Sequence, residues 1–148
     1  MNGGDMVKIV FPLQEGPAET MWADDLGNGL YRIDNIPWFA YDVSLHDVVS
    51  VRYLDGDPRP YFDKVVSPSG TMTYRVTLAE GLSAEDHGKA AEILERLRFC
   101  AEAYSRYSDD YIAATASSDT TRLVVERTLE EGEDAGYWDW ETSTAPPL

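Results

Sequence analysis

Cysteine is almost absent. Cys100 is the only one in 148 residues, so no intrachain disulfide can form, and a reducing compartment is the expected setting. Histidine occurs twice, at His46 and His87, and two widely spaced imidazoles with one thiol have no zinc spacing. Bases are scarce as well: 12 Lys and Arg stand against 27 Asp and Glu, for a formal net charge of −15. A field of that sign repels phosphates and disfavours both nucleic acid and an anionic membrane surface. It favours a basic protein partner, or serves solubility alone. No apolar run approaches the length of a membrane span. The start, MNGGDMVKIVF, lacks the basic and apolar regions of a signal peptide, so a cytoplasmic protein is expected. A glycine-rich phosphate loop, a Walker sequence and a nucleophile elbow are all missing, and no cofactor is expected.

Large rings are what the chain has in quantity. Four Trp and nine Tyr accompany a hydrophobic content of 43%, enough for a packed core. The length suits one domain or two small lobes.

Short strands separated by turn residues fill the first half. Val7 to Phe11 alternates and stops at Pro12. Glu19 to Ala23 and Leu30 to Ile33 flank Gly27-Asn28-Gly29, the signature of a tight hairpin. Pro37 breaks the chain, and Trp38 to Asp42 then crosses the lobe irregularly. Val48 to Tyr53 and Tyr61 to Val66 lie either side of Asp55-Gly56-Asp57-Pro58. Met72 to Leu78 has the cleanest alternation, with Met72, Tyr74, Val76 and Leu78 inward. This predicts an antiparallel, barrel-like β lobe over residues 7–78.

After Gly81 the period lengthens. Ser83 with Asp86 three residues on can start a helix, and Ala90, Ile93, Leu94, Leu97, Cys100, Ala101 and Tyr104 recur at helical spacing. Tyr111 to Ala116 reads as a strand and Gly136 to Glu141 as a last strand; Leu123 to Glu133 fits a strand, with Leu123, Val125 and Leu129 alternating, or a helix, which the acidic run and the polar break Ser117 to Thr121 favour. Residues 79–141 are thus expected to form a β-α-β-α-β two-layer lobe, giving an α+β fold overall. Residues 1–6 and 142–148 are expected to be flexible.

The chemistry-bearing residues each have a plain reading. Cys100 needs a base to act as a nucleophile. His87 is thirteen residues earlier on the same expected helix, about 20 Å along its axis, too far to serve. Cys100 falls on the apolar stripe, where free cysteine packs as a small hydrophobe. His46-Asp47 could form an acid–base pair only across a turn, because neighbours in a strand face opposite ways. A polar loop entry is the simpler reading. Asp55-Gly56-Asp57 is similar to the start of a calcium loop, but Pro58 and the missing later Glu break the pattern. Asp24-Asp25, Asp109-Asp110 and Glu130-Glu131 are of the kind that solvated faces carry. Residues 109–148 nevertheless hold ten acids and two bases, a net −8 in forty residues, with Tyr137, Trp138 and Trp140 among them. Rings set among acids suit recognition of a basic protein surface.

Three stretches resemble an uncharacterised bacterial family: LYRIDNIPWFAYDVSLHDVV, VVSPSGTMTYRV and FCAE. The family's members read NIPF-A-GVS-GD-V, SG-ST-RV and GC-E, and the matches include Asn35, Ile36, Pro37, Ser44, Asp47, Val49, Ser69, Gly70, Arg75 and Cys100. His46 stands where a glycine is usual, and Phe99 where a glycine precedes the cysteine. The resemblance implies one fold across residues 7–141. It implies no activity, since the family is classed only as a domain of unknown function.

The expected role is therefore a non-catalytic acidic protein that binds a basic partner, in the manner of an immunity or antitoxin protein neutralising a basic toxin domain. A small-molecule or peptide-binding accessory protein with an aromatic pocket is the alternative, and a small enzyme of unknown reaction a third. Candidate binding residues are Trp38, Tyr41 and His46 in the first lobe, and Glu130, Glu131, Asp134, Trp138 and Trp140 in the second.

Overall fold

The computed structural model describes residues 5–143. The chain divides into two compact units, one ending at Thr71 and including Ser143, the other spanning Met72–Thr142. Among the described residues there are nine strands and two helices, in a mixed α+β fold.

The first unit is a ring of five strands: β1 (Met6–Phe11), β2 (Glu19–Gly27), β3 (Leu30–Ile33), β4 (Val48–Arg52) and β5 (Tyr61–Ser67). Consecutive strands pair antiparallel, and a parallel bridge between Val10 of β1 and Tyr61 of β5 closes the ring. The β2–β3 hairpin turns where the sequence places it: Asn28 and Gly29 have φ of 57° and 76°, the paired positive values of the favoured two-residue turn. The core is Ile9, Phe11, Met21, Ala23, Ile33 and Val49 from the strands, joined by Ala40 and Val43 from the loop between β3 and β4. Phe11 and Phe62 stack at 4.8 Å between centroids.

The second unit follows the order β6 (Met72–Leu78), α1 (Ala84–Cys100), β7 (Ala103–Ser108), β8 (Tyr111–Ala116), α2 (Asp119–Asp134), β9 (Trp138–Thr142). Its sheet runs β7-β8-β6-β9 with every pair antiparallel. This is the split β-α-β arrangement of ferredoxin-like sandwiches. Met72, Tyr74, Val76 and Leu78 pack with Ile112, Ala114 and Trp138 against Ala90, Ile93, Leu94 and Leu97 of α1 and Val125 and Leu129 of α2. Ser83 caps α1, its Oγ accepting from the Asp86 amide at 3.1 Å; Ser118 caps α2, its Oγ accepting from Thr121 at 3.1 Å. Gly136, at φ 82°, ends α2 with its amide donating to the Glu133 carbonyl at 2.9 Å.

Three expectations need correction. The alternating strand Met72–Leu78 belongs to the second unit, because its partners are β8 and β9; the division falls before Met72, not after Leu78. The second unit also has a strand the reading omitted, β7. Tyr104 continued the helical spacing of α1, but the helix ends at Cys100 and Ala101 is already extended. Tyr104 lies on β7 opposite Ala114. Finally, Met6 begins β1 and Thr142 ends β9, so these two are ordered by strand pairing; residues 1–4 and 144–148 lie outside the described residues. Among the described residues no helix is long and apolar enough to cross a membrane.

Candidate functional site

In the first unit the chemistry gathers in the loop from Asp34 to Asp47. The loop returns along β2: the Trp22 amide donates to Asn35 Oδ1 at 2.6 Å, and the Asp34 amide to the Trp22 carbonyl at 2.9 Å. Pro37 is buried, and Ala40 and Val43 enter the barrel core. Two carboxylates hold the loop there. Glu19 accepts three backbone amides, from Trp38 at 2.7 Å on Oε2 and from Phe39 at 3.0 Å and Ala40 at 2.8 Å on Oε1. Asp47, 3% exposed, accepts the Ser44 amide at 2.8 Å on Oδ2 and the Ser69 amide at 2.8 Å on Oδ1. The Ser69 hydroxyl in turn donates to the Leu45 carbonyl at 2.8 Å. Charge-assisted bonds of this kind are about twice as strong as neutral ones, so the loop is a rigid plug.

The plug settles several sequence readings. Trp38 is half-buried; the residues that reach the core are its smaller neighbours Ala40 and Val43. Tyr41 is 56% exposed. A turn does separate His46 from Asp47, with His46 at φ 72°, but both oxygens of Asp47 are engaged by backbone amides and His46 is exposed. Asp47 therefore anchors backbone rather than pairing with His46. The positive φ at His46 also explains why the resembling pattern puts a glycine there. That pattern has a glycine at Asp42 too, and Asp42 stands at φ 65°. Asp57 of the turn similar to a calcium loop accepts from Arg59 at 2.8 Å and from the Tyr61 hydroxyl at 2.6 Å, which pulls its carboxyl below the usual carboxylate range.

In the second unit the acidic run closes α2. Glu130, Glu131, Glu133 and Asp134 are all exposed, and the last turn holds no base. Glu131 pairs with Arg96 of α1, which holds its carboxyl below the usual range. Two aromatic candidates sit elsewhere than expected. Trp138 is 2% exposed, and its Nε1 donates to the Leu129 carbonyl at 2.9 Å, so it is core rather than contact surface. Trp140 is half-buried opposite Val76, its ring 5.9 Å from Tyr74 and its indole nitrogen buried. The alternation of β9 points both rings to the helix side of the sheet. Glu130, Glu131 and Asp134 are thus brought together on α2, while Trp138 and Trp140 turn inward.

Sequence reasoning missed two polar pairs of this unit. Tyr74 donates to Glu126 at 2.5 Å, and burial, then that bond, pushes its phenol up. Arg75 is 1% exposed and binds Glu141, directly opposite on β9, at 2.9 Å. Cys100 is half-buried, with its thiol donating to the Leu97 carbonyl at 3.4 Å.

A family model described as a domain of unknown function, DUF4265, matches residues 19–140. The chain belongs to that family. The match takes in the Glu19 and Asp47 clamps of this DUF4265 chain and all of α2. No curated protein matches the chain. A crystal structure of a hypothetical protein from Neisseria gonorrhoeae is similar across 100% of this chain and 99% of its own, with a TM-score of 0.72 and 15% sequence identity. That likeness shows that the DUF4265 chain shares its fold.

Proposed function

We propose that this protein is a non-catalytic binding protein whose acidic second unit recognises a basic protein surface, and that an immunity- or antitoxin-type neutraliser of a basic toxin domain is the form that fits best. The observation that carries the reading is the C-terminal end of α2. A helix accumulates partial negative charge at that end, so cations are the stabilising residues there. Here four exposed acids occupy it without a base in the last turn. Local electrostatics oppose the arrangement, and departures from a local rule concentrate where a surface has a use. A cationic surface docking on this end would relieve the repulsion and be steered to it by a net charge of −15.

A second reading rests on the Glu19 clamp. A loop held by three amides presents Phe39 and Tyr41 at 42% and 56% exposure, a pre-organised aromatic site for a peptide or small molecule. The test is to co-purify the native partner with the full chain. Recovery of a basic protein whose toxicity the chain suppresses supports the first reading; recovery of an acidic or neutral protein contradicts it.

A further inference from the structure

We propose that the barrel end carrying Asp25, Tyr31 and Tyr53 receives a lysine or arginine side chain of a protein partner. The inference rests on the basic-partner reading and adds a subsite to it in the first unit.

The placement follows from register. Asp25 of β2 lies directly opposite Tyr31 of β3, and Tyr31 directly opposite Val49 of β4. Opposed residues share a face, so all three point to the barrel interior. Tyr53 continues the alternation of Val49 and Val51 just beyond β4, which puts it on the same face. Tyr31, Val51 and Phe62 pack on the core beneath. Asp25 is fixed in place: its Oδ1 accepts the Gly27 amide at 2.9 Å, and among the described residues it makes no ion pair. Tyr53 stands 60% exposed at the rim.

Two neutral phenol rings beside one carboxylate favour a cation with an alkyl stem. The rings offer negative faces and apolar contact, and the carboxylate offers charge. Burial first, then the neighbouring Tyr53 hydroxyl and the Asp25 charge, push the Tyr31 phenol up, and the ring is neutral at physiological pH. Elsewhere on the same barrel the pairing is already made internally, with Lys8 over Trp22 at 5.0 Å and Arg59 over Tyr61 at 5.5 Å. The Asp25 end is left for a cation from outside. A second copy of this chain, with its own net charge of −15, is a poor donor of one.

The probe is acetyl-trilysine amide, with the trinorleucine peptide as its neutral counterpart, titrated into the full chain while the tyrosine ring resonances are followed by NMR. The lysine peptide should shift Tyr31 and Tyr53 saturably and the norleucine peptide should not. Asp25→Asn, which keeps the acceptor for Gly27, and Tyr53→Ala should each weaken binding about tenfold. A variant with Glu130, Glu131 and Asp134 changed to Lys should bind the peptide within about twofold of the parent, since it leaves Asp25, Tyr31 and Tyr53 unchanged. Shifts that are absent, equal with norleucine or insensitive to Asp25→Asn would overturn the proposal. Because the peptide stands in for the partner, this subsite can fail while the α2 reading survives, and the reverse.

Discussion

The indole of Trp138 fills the space that a side chain on Gly132 would need. A Cβ built at Gly132 would lie 2.0 Å from Trp138 Cζ2 and 2.1 Å from Cε2. The ring cannot withdraw without losing its Nε1 bond to the Leu129 carbonyl, one turn earlier on α2. Gly132 is thus the close-approach point between α2 and β9.

This relationship makes an unusual forecast for a glycine inside a helix. Gly→Ala there ordinarily gains about 1 kcal/mol. In this helix overpacking against Trp138 should cost about 1–3 kcal/mol and reverse the sign. Urea unfolding of Gly132→Ala should therefore show a less stable protein, and Trp138→Ala a loss of about 3–5 kcal/mol. A Gly132→Ala variant more stable than the parent would mean that the indole does not rest on the helix.

The two carboxylate clamps should behave as structural groups. Glu19→Gln and Asp47→Asn each set an amide NH2 against backbone donors, leaving at least one unpaired at a cost of about 1–3 kcal/mol. Hydrogen exchange should quicken at Trp38, Phe39 and Ala40 in the first variant and at Ser44 and Ser69 in the second. Unchanged protection in both would contradict the plug.

His46 gives a prediction of opposite direction. A side chain in the left-handed region costs about 1–2 kcal/mol. Glycine relieves that while losing about 0.4–1 kcal/mol more on folding. His46→Gly should then be neutral or up to about 1.6 kcal/mol stabilising. His46→Val, β-branched at φ 72°, should be clearly destabilised in the same melts. Equal stability of the two variants would show that this φ is not held.

Much of the fold was legible because periodicity and turn chemistry agreed. Asn28-Gly29 made its hairpin, Ser83 capped its helix, and the inward face of Met72–Leu78 is buried as its alternation requires. β7 was hidden because Tyr104 fell four residues after Cys100, in step with the helix, so the spacing ran on past the true end at Cys100. The clamps were invisible for a different reason. Glu19 reaches amides 19 to 21 residues away, and Asp47 adds to its local bond with Ser44 one to Ser69, 22 residues away; no local spacing records such long bonds. The trace they left was glycine in the resembling pattern at Asp42 and His46, a sign of positive φ. Trp138 misled because an aromatic among acids reads as a contact residue, whereas in β9 it alternates with exposed Asp139 and faces the core.

The central claim, that the acidic end of α2 meets a basic partner, is tested most directly by association kinetics. Glu130, Glu131 and Asp134 are changed together to Lys, and binding to the co-purified partner is timed at two salt concentrations. The Arg96–Glu131 pair lost in this variant is exposed, and such pairs contribute about 0–1 kcal/mol, so a melt should confirm that the variant folds. Steering by exposed charge is screened beyond about 10 Å at 0.1 M salt. The variant should associate more slowly than the parent at low salt, and its rate should lose most of its salt dependence. An association rate equal to the parent's at low salt would contradict the claim and leave the acidity of α2 to solubility.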